Sequence, residues 1–115
     1  MKIILTSSEF TPLAKTGGLA DVCAALSAHF NDQGHDIRVL LPFYSTIDTF
    51  ELEIIPVSGL QNLSITTGSH EFHYSIDSIT LPGTTLTVYL LRCPELYQWA
   101  QIYSGPDEHL RFIVL

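Results

Sequence analysis

Lys15-Thr16-Gly17-Gly18-Leu19-Ala20-Asp21-Val22 sets a lysine and a glycine pair between two elements of opposite periodicity. Before it lies the apolar run Ile3-Ile4-Leu5 with Thr6 and Ser7, which reads as a strand. After it, Leu19, Val22, Cys23, Leu26 and Phe30 recur at helical spacing and predict the buried face of a helix that stops at Gly34. A strand, a glycine turn and a helix in this order place the helix N-terminus at the strand's end. Unpaired N–H groups and about half a positive charge gather there, and two glycines let an oxygen approach the backbone. Lys15 adds a full charge. The pattern predicts an anion site of unspecified ligand, although Gly17 and Gly18 also serve as ordinary turn residues ahead of a helix.

Working outward, the stretch Gly34 to Pro42 holds a turn and a second strand, giving a right-handed βαβ start to a parallel sheet. The pattern then changes to short strand-like segments at Glu51 to Val57, Leu60 to Thr66 and His70 to Ile76. Pro82-Gly83 marks a turn before Thr85 to Leu91, an apolar stretch suited to rejoin the main sheet. The expected fold is therefore α/β, a Rossmann-like parallel sheet with an inserted β-meander. Gly105-Pro106-Asp107-Glu108 opens a further helix whose apolar face, Leu110, Ile113 and Val114, stops at Leu115 without a cap.

The octapeptide resembles the donor-site signature of bacterial glycogen synthases and plant starch synthases, glucosyltransferases that use ADP-glucose. Met1-Lys2-Ile3-Ile4-Leu5 with Ser8-Glu9 and Pro12 is similar to that family's first strand and loop. Gly34-His35-Asp36-Ile37-Arg38-Val39-Leu40-Leu41-Pro42 resembles its second strand, and Val88-Tyr89-Leu90, Pro94-Glu95-Leu96-Tyr97 and Leu110-Arg111-Phe112 follow in the family's order. The resemblance implies that residues 1–115 are the first part of the N-terminal catalytic domain of a two-domain glycosyltransferase, cut within an element. It implies that Lys15, Gly17 and Gly18 contact the donor phosphates, that Asp21 is a catalytic residue organising that site, and that Tyr97 lines the substrate cleft. The partners it implies are ADP-glucose and an α-1,4-glucan, the glucosyl unit being transferred with retention to the non-reducing 4-hydroxyl. Acceptor residues and the second domain would lie beyond Leu115.

Composition narrows the alternatives. A chain of 115 residues has the length of one domain, and 46% hydrophobic content argues against disorder. A net charge of −7 argues against nucleic acid or an anionic membrane as partner, so any phosphate must be held by local geometry. No apolar run reaches the roughly 18 residues that span a bilayer, and a cytoplasmic location is expected. Cys23 and Cys93 are expected as buried free thiols. His70-Glu71-Phe72-His73 lacks the spacing of a zinc motif, and no metal or cofactor is expected. The first strand is not followed by GxGxxG, against a dinucleotide site, and the lysine precedes the glycines, against a Walker loop. The remaining alternative is a non-catalytic α/β fragment that binds phosphate weakly and associates with itself through its truncated end.

Overall fold

The structure is a computed structural model that describes residues 1–50 and 52–97. The expected helix at Gly105–Glu108 and the apolar end at Phe112–Leu115 lie outside the described residues. In chain order the elements are β1 (Lys2–Thr6), α1 (Gly18–Asp32), β2 (Asp36–Pro42), β3 (Ile55–Pro56), β4 (Leu63–Thr67), β5 (His70–Thr80), β6 (Thr87–Arg92) and α2 (Pro94–Tyr97). The sheet runs β1-β2-β6-β5-β3, with β4 also paired to β5.

β1, β2 and β6 are parallel, and the βαβ unit forms as the periodicity predicts. Alternation decides its faces. Ile37, Val39 and Leu41 on β2 are buried on the side where Val88 and Leu90 of β6 and Ile79 of β5 also point, and in register Val39 pairs with Val88 and Leu41 with Leu90. Each such side chain removed from water contributes about 2 kcal/mol. This face is the core on which α1 packs.

The meander rejoins the main sheet instead of standing apart, because β5 runs antiparallel beside β6 over Ser75 to Thr80 while its first half pairs with β4. Of the strand expected over 51–57, the described residues 52–57 form only Ile55–Pro56, and the one expected to end at Ile76 continues to Thr80. At the first of these, Pro56 lacks the N–H that would donate to the ladder, although Val57 N–H still donates to Ile76 C=O at 3.0 Å. The second arises from β6, whose edge supplies partners up to Thr80. Between them Leu81-Pro82-Gly83-Thr84 closes a type II turn, with Gly83 at φ 79° and Thr84 N–H donating to Leu81 C=O at 3.0 Å. Asp77, buried on β5, is paired across the sheet with Arg92, Oδ2 to Nη2 at 2.7 Å.

α1 ends as expected at Gly34. Its φ of 86° lets Gly34 N–H reach Asn31 C=O at 3.1 Å and His35 N–H reach Phe30 C=O at 3.2 Å, a Schellman motif. The buried face of α1 overlaps the expected one only at Cys23 and at Phe30, which packs against the core. Ala20, Cys23 and Ser27 are buried, whereas Leu19, Val22 and Leu26 are 46%, 62% and 42% exposed. The contact face is rotated by roughly a quarter turn at 100° per residue. Small side chains let the helix sit close against β2 and the end of β1, and the larger ones are turned outward with Ile4 of β1, itself 65% exposed. Among the described residues β1 pairs only with β2, so its other edge is open.

Candidate functional site

The C-terminal end of β1 opens into the loop from Ser7 to Gly17, which leads directly into α1. A short antiparallel bridge holds this loop folded, Phe10 N–H to Ala14 C=O at 2.8 Å and Ala14 N–H to Phe10 C=O at 2.9 Å. Phe10 and Ala14 are buried beneath it, so the polar residues between and after them are turned outward.

Lys15 and Asp21 meet at the surface. Lys15 Nζ donates to both carboxylate oxygens of Asp21, at 2.9 and 2.8 Å, and Thr11 Oγ1 donates to Asp21 Oδ1 at 2.8 Å. The Lys15 hydrogen bond, then that of Thr11, holds the Asp21 carboxyl below its ordinary range. Both side chains are about half exposed, at 49% and 54%. The ammonium is therefore accessible while its charge is locally balanced. An arriving anion would share or displace the carboxylate.

Gly17 is the N-cap, with extended backbone and no side-chain capping bond, and Gly18 is the first residue of α1. Neither glycine has positive φ, and a Cβ at either position would meet nothing within 4 Å. The pair therefore leaves an open approach to the helix N-terminus rather than relieving a strained turn. Tyr97, in contrast, is 1% exposed. Its ring packs edge-on against Tyr44 at 5.7 Å, Tyr44 Oη donates to Ser8 C=O at 2.9 Å, and Ser45 N–H donates to Tyr97 C=O at 3.2 Å. The structure thus brings Lys15, Gly17, Gly18 and Asp21 to one mouth and sets Tyr97 behind it, joined to the loop through Tyr44.

Sequence reasoning passed over Glu9, quoted only as part of a resemblance. It is 3% exposed, and Oε1 accepts from Thr16 N–H at 2.8 Å, Thr16 Oγ1 at 3.1 Å and Gly17 N–H at 3.1 Å. Asp77 and Arg92, also passed over, line a cleft of about 530 Å³ beside Tyr44. In both cases burial is the signal, and burial is not written in an isolated acidic residue. Cys23 and Cys93 are free and buried. Burial, reinforced by Glu95, pushes the Cys93 thiol up to about 11. His73 lies between Glu71 and Glu95, and the described residues contain no cluster suited to a metal ion. No helix among them is long and apolar enough to cross a membrane.

A parallel βαβ unit with a lysine and two glycines at its crossover mouth makes the chain an α/β domain with a candidate anion site. It belongs to the starch synthase catalytic domain family, whose profile matches residues 2–115. A glycogen synthase of Aeromonas hydrophila is 38% identical over 120 residues, covering 100% of this chain and 24% of that protein. One from Geotalea daltonii is 38% identical, covering 97% of the chain and 23% of its own length. The chain thus spans about a quarter of these relatives. The solved catalytic domain of starch synthase IV from Arabidopsis thaliana, bound to ADP and acarbose, superposes with a TM-score of 0.83 over 96% of this chain and 22% of that one. At 23% identity this likeness establishes the fold.

Proposed function

We propose that residues 1–115 are the first part of the N-terminal catalytic domain of a glycogen or starch synthase, a glucosyltransferase acting from ADP-glucose onto the non-reducing end of an α-1,4-glucan with retention. The observation that carries this reading is the accessible Lys15 ammonium beside the open Gly17-Gly18 entrance to α1. In it, Lys15 and the α1 amides hold the donor diphosphate, where a cation stabilises charge growing on the leaving group as the glucosyl bond breaks. Asp21 keeps Lys15 in place until donor arrives, and Tyr97 with Tyr44 backs the cleft. A cytoplasmic location accords with this activity.

The chain by itself is expected to be inactive. Transfer needs donor and acceptor held together in a water-poor cleft, and such positioning supplies roughly 7 to 11 kcal/mol of a barrier. An amide-resolved NMR titration of the 115-residue chain with ADP-glucose should show weak, millimolar binding with shifts gathered at residues 15–19. Lys15→Ala should remove them. Shifts elsewhere and none at this loop would overturn the assignment, and incorporation of labelled glucose into glycogen by the chain, lost on Lys15→Ala, would overturn its expected inactivity.

A second reading, a self-associating fragment with weak phosphate affinity, is favoured by one observation. Leu19, Val22 and Leu26 form an exposed apolar stripe on α1, and Ile4 lies exposed on open-edged β1.

A further inference from the structure

Glu9 is a buried charge to which the donor-site reading gives no part. Its Oε1 gathers the N–H groups of Thr16 and Gly17 and the hydroxyl of Thr16, all at 3.1 Å or less. The N-cap residue, a glycine, offers α1 no side-chain acceptor, and the Glu9 carboxylate takes the amides of the N-cap and of the residue before it, just ahead of the first helical turn. Glu9 is itself held. Its N–H donates to Ser7 Oγ at 3.2 Å, Ser7 Oγ donates back to Glu9 C=O at 2.7 Å, and Cys23 Sγ on α1 lies 3.2 Å from the same hydroxyl. The end of β1, the loop and the helix are tied together at this point.

We propose that Glu9 is the positioning residue of the Lys15 loop: by occupying the Thr16 and Gly17 amides it fixes the turn, leaving Lys15 and the first α1 amides, at Gly18 and Leu19, to receive a diphosphate. This rests on the diphosphate reading above. Lys15 is already balanced by Asp21, so this ion pair does not draw an anion by net charge. What the mouth offers is donors set in place before the ligand arrives, which spares the ligand the ordering of a loose turn. The Glu9 side chain acts through its reach and its acceptor oxygen.

Two substitutions separate these contributions. Glu9→Gln keeps the length and an acceptor oxygen but removes the charge, and Glu9→Asp keeps the charge but is one methylene too short to reach residues 16 and 17. In the 115-residue chain followed by amide-resolved NMR with ADP as the probe, Glu9→Gln should bind ADP as well as the unaltered chain. Glu9→Asp should bind roughly fivefold or more weakly, since the loop must then be ordered by the ligand. The Thr16 and Gly17 amide protons should stay close to their original positions in Glu9→Gln and move upfield in Glu9→Asp, with the amides of β2 and β6 unchanged in both. The reverse order of affinities, or an unchanged affinity and unchanged Thr16 and Gly17 signals in Glu9→Asp, would overturn the role of Glu9. An unaltered chain with no response to ADP at residues 15–19 would overturn the diphosphate reading instead, and the Thr16 and Gly17 signals of the two variants would still decide whether Glu9 holds the turn.

Discussion

At the scale of single residues, the chemistry sits in pairs that the chain brings together over short distances. Asp21 carries two neighbours that favour its ionised form, Lys15 first and Thr11 second, so its folded pKa lies below the ordinary 3.8. The sign follows from linkage. A depressed acid contributes stability above its unfolded pKa and loses it as pH falls through the folded value, so the loop contact should persist at neutral pH and release only below about 3.8. A carbon-detected titration should give Asp21 a midpoint below that of a free aspartate, and Lys15→Ala should return it most of the way. An unchanged midpoint in the variant would show that the ion pair is not formed in solution. Cys93 moves the other way. With its thiol raised from 9.0 to about 11 by burial, the folded state favours the protonated form, so its contribution is complete below pH 9 and lost as pH rises toward 11. Thiolate is the reactive species, and alkylation of Cys93 at pH 8 should be roughly a hundredfold slower than that of an unperturbed cysteine. Modification at the free-thiol rate would place Cys93 outside the core.

At the scale of elements, α1 shows what local sequence rules settle and what they leave to packing. Its C-terminal stop is local. Gly34 adopts φ 86° and supports both Schellman hydrogen bonds, and a Cβ there would touch nothing, so Gly34→Ala meets only backbone strain. That substitution should cost about 1 kcal/mol, read as a lower denaturant midpoint with unchanged slope. A neutral result would mean that the helix end frays in solution. The buried face of the same helix is not local. Apolar periodicity selected Leu19, Val22, Cys23, Leu26 and Phe30, yet Leu19, Val22 and Leu26 face solvent and the small residues Ala20 and Ser27 join Cys23 against the sheet. Close approach of helix to sheet favours small side chains at the contact, and a periodicity count of hydrophobic residues cannot register that preference.

At the scale of the whole molecule, the described residues form a sheet with an open edge at β1, and Ile4 on that strand and the outward stripe of α1 are each in contact with solvent. Apolar surface of this kind favours association, with the charge of −7 opposing it. The 115-residue chain should sediment as a dimer or larger species at high concentration, and more so in salt. Val22→Glu combined with Leu26→Lys should shift it toward monomer without loss of helicity. A concentration-independent monomer would rule this out.

The sequence by itself determined the order of the first strand, helix and second strand, the return of the chain to the sheet near Val88, and the position of the Lys15–Asp21 loop at the crossover. Those features depend on periodicity, glycine placement and helix-end chemistry, which act over a few residues. Only the tertiary structure decided that β5 extends to Thr80, because β6 supplies its partners. It alone turned Leu19, Val22 and Leu26 outward, and it alone made Glu9 a buried acceptor for Thr16 and Gly17. An acidic residue in a loop is written the same way whether it meets water or two backbone amides. The folding of the loop back over the end of β1 removes the water and supplies the donors.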